Sequence, residues 1–439
     1  MEDSSYFKIK PACHHYSVDH ITLFIHLVLT AASSLRCASC VIEIVALFFK
    51  FSVELPSWYT GRFWLLRLGL YKLTRPKVKA NDWVWIIDHT VQIGQEKTLV
   101  ILGIRLSALP CPARCLSHED VEPIVLLPVK KSNGDIVYEQ LQEATKKTGV
   151  PREIISDKGT DLNAGISKYC IEHPEACAIY DIKHQSAVLL KKELKDDHDW
   201  KEFIRLCGET KKGIQQTELA YLFPPNQKSK SRYMNIDTLV KWGRKMLEYY
   251  DSANGEDCDK NKRLYEELGW ITEFRKELDE WDEILKVAIV IESGVRQEGI
   301  YRGCYEKLQA ELEAESLGER AKKFSTVFLE LVKKEECKAN PGERLLGSSE
   351  VIESVFGKLK RMERDQSKNG FTALLLSVAA MVSATTTEVV QKAMETIPTK
   401  KVYEWHRDNL GKSIQAMRKE ALKLNKKAEQ KQDQVCITL

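Results

Sequence analysis

Asp88 closes a short apolar run, Trp83-Val84-Trp85-Ile86-Ile87, and Asp157 follows a second, Glu153-Ile154-Ile155-Ser156, just before Lys158-Gly159. Each acid therefore sits at the tip of an expected buried strand. Hard divalent cations take oxygen ligands, and a pair of them about 3.5–4 Å apart can carry an in-line displacement at phosphorus. Such a site needs a third carboxylate, and a helix packed on the sheet could bring one. The best candidate segment is Ser348-Ser349-Glu350-Val351-Ile352-Glu353-Ser354-Val355-Phe356-Gly357-Lys358-Leu359-Lys360. Val351, Val355 and Leu359 mark an apolar stripe, while Glu350, Glu353, Gly357 and Lys360 share a neighbouring face at three- and four-residue steps. Glu353 would then bind metal and Lys360 a phosphate, with Glu350 a rival third acid. Strand ends and first helical turns also carry ordinary capping acids, so each acid has a plain structural reading beside the chemical one.

The elements expected to position these residues fall into distinct stretches. Strands are expected at 83–88, 98–105, 124–129, 153–157 and 177–181, with helices at 135–148 and 161–172. Three successive strands followed by alternating helix and strand give a mixed five-stranded sheet flanked by helices, the order of the RNase H-like fold. Residues 1–80 read as helical: a helix through Ala32, another from Arg36 to Lys50, and a third from Pro56 carrying Trp58, Tyr59, Arg62, Trp64 and Arg67. That outline fits a helix-turn-helix, with Arg62 and Arg67 on the reading helix. Charged amphipathic helices are expected at 186–196, 198–206, 236–250, 260–285 and 298–337, with Trp242, Trp270 and Trp281 as core anchors. Beyond Asn340-Pro341-Gly342 come the helix from Ser348, a long apolar helix 371–385, and further helices to the end. The expected division is 1–80 helical, 81–190 the first part of the α/β core, 191–344 a helical insertion, and 345–439 the helix with the third acid and the C-terminal helices.

Composition sets few bounds. At 439 residues, 43% hydrophobic and 29% charged, the chain has room for two or three domains and no compositional case for disorder. The net charge of +3 says little, but Arg62, Arg67, Lys72, Arg75, Lys77 and Lys79 cluster before position 80 in a way that suits nucleic acid. The twelve cysteines are scattered. Cys37 with Cys40, Cys111 with Cys115, and Cys13-His14-His15 are half-sites for zinc without a four-ligand spacing, so reduced thiols are expected. The apolar stretches 21–32 and 40–51 fall short of the ~20 residues that span a bilayer, and His26 and Glu43 interrupt them. No cleavable signal peptide is evident. Cys436-Ile437-Thr438-Leu439 matches a prenylation box formally, which four residues do by chance.

Taken together, Asp88, Asp157 in Ile155-Ser156-Asp157-Lys158-Gly159, and Glu353 with its Glu-x6-Lys spacing to Lys360 resemble the DDE-type transposases of bacterial insertion sequences. The likeness covers 81–190 and 345–365, and 191–344 resembles the large insertion that several of these enzymes carry before the glutamate. Ser349 stands where an Arg is often found and Leu346 where a Tyr is. The resemblance implies an RNase H-like core binding Mg²⁺, with Mn²⁺ able to substitute, at Asp88, Asp157 and Glu353. It implies metal-dependent cleavage and strand transfer at the ends of a mobile element. The partners would be double-stranded DNA, both terminal repeat and target, with a dimer on DNA, no membrane, and a bacterial cytoplasmic location at the nucleoid. DNA contacts are expected from Arg62, Arg67, Lys360, His184 and Arg232, with Lys183, Lys228, Lys230 and Lys241 as lesser candidates, His89 beside the first acid, and Asp161 as either a helix cap or a metal ligand. The competing expectations are an RNase H-like nuclease that cuts without joining, and a domesticated transposase acting only as a DNA-binding protein.

Overall fold

The structure, a computed structural model, describes residues 9–50, 54–91, 96–110, 113–225, 235–253, 259–365, 372–411 and 416–422. The chain forms two compact units, one of residues 1–178 with 349–439 and one of residues 179–348.

The first unit opens with α1 (Val18–Leu29), α2 (Leu35–Phe49) and α3 (Trp58–Thr74), capped at their N-termini by the hydroxyls of Ser17, Ser34 and Ser57. There follow β1 (Trp83–Val91), β2 (Lys97–Arg105), β3 (Glu122–Val129), α4 (Gly134–Thr148), β4 (Glu153–Ser156), α5 (Thr160–Glu172) and β5 (Cys177–Tyr180), whose last two residues are counted with the second unit. The strands form one five-stranded mixed sheet in the order β3-β2-β1-β4-β5. β1 runs antiparallel to β2, β2 antiparallel to β3, and β1 parallel to β4. Trp83, Trp85 and Ile87 of β1 join Val137 and Leu141 of α4 and Leu162, Ile166 and Tyr169 of α5 in one buried cluster. Because strand side chains alternate, Val84, Ile86 and Asp88 point to the opposite face.

The second unit holds α6 (Ile182–Lys195), α7 (His198–Ile214), α8 (Ile236–Ala253), α9 (Asp259–Leu268), α10 (Arg275–Glu298), α11 (Cys304–Glu313) and α12 (Glu319–Glu336). Trp200, Phe203, Trp242, Trp270, Phe274 and Trp281 pack ring against ring there. The helix expected at 260–285 breaks at Gly269 into a 3-10 turn. The one expected at 298–337 starts only at Cys304, because Gly299 and Gly303 take φ angles of +80° and +100° that no helix accommodates, and it is broken again at 314–318 between its two helices.

The chain then returns to the first unit with α13 (Glu350–Arg364), α14 (Ser377–Met381), α15 (Thr387–Thr396) and α16 (Thr399–Asn409). Two expectations need correction here. Residues 1–80 are not a domain apart: α1, α2 and α3 share a buried cluster with Ala380, Val390, Ala393 and Met394. And the long apolar helix at 371–385, of which residue 371 lies outside the described residues, is a 3-10 turn, the short α14 and a loop. The reason is Lys72. Its ammonium is fully buried and donates to the carbonyls of Ala380, Val382 and Ser383 and to Thr385 Oγ1 at 2.8–3.2 Å. Those carbonyls turn toward the lysine instead of continuing a helix.

Candidate catalytic site

β1 carries Asp88 to the centre of the sheet, and β4 carries Asp157 to its end. Ile86 is paired with Ile155 across the parallel β1–β4 ladder, so two residues further on Asp88 and Asp157 are level and share a face. Neighbouring strands stand roughly 4.8 Å apart. Asp88 is half-buried, and its Oδ1 accepts from the His89 N–H at 2.7 Å. Asp157 is half-buried too, and its Oδ1 accepts from the Gly159 N–H at 2.9 Å. Lys158, between Asp157 and Gly159, takes a left-handed φ of +55°. That tight Asx turn ends β4 and starts α5, fixing the carboxylate at the strand tip.

The third acid comes on α13, which packs against β1. Since α4 and α5 cover the face with Trp85 and Ile87, the face left for α13 is that of Asp88. Val351, Ile352, Val355, Phe356 and Leu359 are its buried stripe. Glu350 and Glu353 are half-buried at the stripe's border in the first turn, and Lys360 is exposed toward the far end. Among the described residues no three His, Cys, Asp or Glu side chains are grouped closely enough to hold a metal ion. The level pair Asp88 and Asp157 fits a hard cation as an oxygen donor set, and the glutamates share their face without closing the group.

On the opposite face lies a cluster that sequence reasoning only touched. Asp161, in the first turn of α5, accepts from Lys97 Nζ at 2.7 Å and lies 3.6 Å from His89 Nδ1. Burial works against the Asp161 carboxylate, but the Lys97 hydrogen bond and the nearby charges win and hold it down at about 2. Burial likewise lowers His89, to about 4, although the Asp161 and Asp157 charges pull the other way. Asp161 therefore has a cationic partner on the face away from α13. Nothing in the local sequence pairs position 97 with 161; only the packing of α5 on the sheet does.

A second group missed from sequence anchors α13. His118, in the loop before β3, meets Ser354 Oγ through Nε2 and Lys358 Nζ through Nδ1, each at 3.1 Å. Burial lowers the pKa of both His118 and Lys358, and the Lys358 charge adds to the effect on His118.

The expected DNA contacts fare unevenly. Most of helix α3 is core: eleven of its seventeen residues are buried, and its exposed surface is confined largely to its first turn at Trp58 and Tyr59. Arg67 is 8% exposed; it donates to the Met394 and Ile397 carbonyls and meets His14 Nε2 at 2.8 Å. That spends its donors inside the fold. Arg62 is half-buried, over the Phe63 ring. His184 belongs to α6 in the second unit, where its backbone N–H donates to the helix-capping Asp181. Lys241 is exposed on α8, and Lys228, Lys230 and Arg232 lie outside the described residues. Cys37 and Cys40 are exposed thiols on α2, and Cys111 is not among the described residues. No described helix is long and apolar enough to cross a membrane.

No family model matches the chain, and no curated protein matches it.

Proposed function

We propose that the protein is a DNA transposase with an RNase H-like core, in which Asp88, Asp157 and Glu353 hold divalent metal for cleavage and strand transfer at the ends of a mobile element. The observation that carries this reading is the level placement of Asp88 and Asp157 on adjacent parallel strands, on the sheet face that α13 covers. The strand order β3-β2-β1-β4-β5, with its antiparallel first three strands, supports the same core. Mg²⁺ bound there would stabilise charge on the attacking and leaving oxygens of a phosphodiester. Asp88, the central ligand, is held by β1; Asp157 is held by its Asx turn; Glu353 is presented by a helix tied down through His118. Lys360, exposed on the same helix, supplies a cation for a DNA phosphate.

The test is cleavage and joining of element-end DNA by the whole protein in Mg²⁺ or Mn²⁺, beside Asp88→Ala and Asp157→Ala. Cleavage with joining that both substitutions abolish is expected. Activity that survives either substitution would sink the site, and cleavage without joining would make the protein a nuclease instead.

A further inference from the structure

A cavity of about 830 Å³ opens in the first unit between the α1–α2 turn, α3, the end of α13 and α16. Its size is within the range of small-molecule sites. The floor is apolar, from Val28, Leu35, Phe63, Leu374 and Val402. The mouth is aromatic and open: Trp58, Tyr59 and Tyr403 are 42%, 49% and 54% exposed. The Tyr59 and Tyr403 hydroxyls meet at 3.0 Å, which fixes both rings.

Two cations stand among these rings. The Arg36 guanidinium lies 5.5 Å from the centre of the Trp58 ring, and that of Arg62 lies 5.8 Å from the centre of Phe63. Among the described residues neither has a carboxylate or carbonyl partner. Arg62 is half-buried as well, and a desolvated guanidinium without an anion is costly. The one carboxylate among the described residues lining the cavity is Asp365, exposed at the end of α13. Exposed ring faces beside unneutralised arginines suit a ligand that is flat on one part and anionic on another. Base stacking on aromatic side chains with arginine nearby is how unpaired nucleotides are held. An aliphatic-tailed anion would want a closed apolar tube, and this mouth is open.

We propose that this cavity binds a nucleoside phosphate, its base on the rings of Trp58 and Tyr403 and its phosphate on Arg36 and Arg62. The ligand's source is either a free nucleotide or the unpaired end of a DNA strand. The proposal stands apart from the catalytic reading, because binding here needs neither metal nor Asp88.

The experiment uses the full chain in metal-free, low-salt buffer. Fluorescence anisotropy of a labelled five-residue oligothymidylate is followed, with thymidine 5′-monophosphate, deoxyribose 5-phosphate and dodecanoate as competitors. Saturable binding that thymidine monophosphate displaces and deoxyribose phosphate does not is expected. Trp58→Ala and Arg62→Ala should each weaken it about tenfold or more, as loss of a stacking or phosphate contact does, while Arg62→Lys retains part. Trp58 is exposed enough for its variant to keep the wild-type melting curve, so it carries the test even if an Arg62 variant unfolds. An oligonucleotide much tighter than the mononucleotide assigns the site to a strand end, and the reverse to free nucleotide. Equal displacement by deoxyribose phosphate, unchanged binding in folded Trp58→Ala, displacement by dodecanoate alone, or no binding at millimolar concentration would overturn the proposal.

Discussion

Asp88 and Asp157 stand level on neighbouring parallel strands, each two residues beyond the paired Ile86 and Ile155. Neither is near the other in sequence. A single parallel ladder brings them together, and the Asx turn at Asp157 keeps the second from fraying away. If they share metal, replacing either with the isosteric Asn should cut DNA cleavage by on the order of a hundredfold or more. The circular dichroism spectrum and melting temperature should hardly change, since both side chains are only half-buried.

Glu353 and Glu350 make opposite predictions. Both border the buried stripe of α13, one turn apart. Glu353→Gln should abolish cleavage, and Glu350→Gln should leave most of it. Parallel single-turnover assays decide, and the reverse ranking would move the third ligand to position 350.

Lys360 and Arg67 separate a surface cation from a structural one. Lys360→Ala should lower DNA affinity and reduce the slope of log affinity against log salt by about one. Arg67→Ala should leave that slope alone and cost about 2–4 kcal/mol of stability, because two carbonyls and His14 lose their donor inside the fold. Filter binding across a salt series and urea melts measure the two effects.

Lys72 should be more sensitive still. Lys72→Met keeps the bulk of the side chain but strands the acceptors at Ala380, Val382, Ser383 and Thr385. A loss of about 3–5 kcal/mol is expected, read as a lowered urea midpoint. A variant as stable as wild type would show that the loop finds other donors.

His89 gives a pH dependence with a definite sign. Folded, it takes a proton only near pH 4; unfolded, near 6.5. Between those values the unfolded chain holds more protons, so stability falls as pH drops from 6.5 to 4 and levels off below. The whole effect is at most about 3 kcal/mol. His89→Gln should flatten that part of the stability–pH curve, which urea melts at pH 4 and pH 7 will show. Asp161, held at about 2, adds a further loss below pH 3.8.

The elements around the site were readable because their signals are local. Continuous apolar runs marked β1 and β2, and the Asp157-Lys158-Gly159 turn marked where β4 stops. Helix α3 misled for an equally physical reason. Its arginines and aromatics are the residue types of a DNA-reading surface, yet Arg67 and Lys72 serve as internal donors to carbonyls contributed by the far end of the chain. Only the partners of a buried cation distinguish these roles, and those lie more than three hundred positions away. Separation in sequence also hid the Asp161–Lys97 pair, 64 residues apart, and the His118 tether of α13, 236 and 240 residues from its partners, neither of which has a sequence period.

The Arg67–Ile397 bond also carries a consequence for biosynthesis. Its partners are 330 residues apart, and at ribosomal speeds that interval lasts roughly 20–60 s. For that time the apolar surface of α3 has no C-terminal segment to cover it, and the nascent chain must be shielded or kept from its neighbours. The first unit can close only once residue 397 has been made, so a chain cut short before it would hold Asp88 and Asp157 on their strands but leave its central helix uncovered, a substrate for proteolysis.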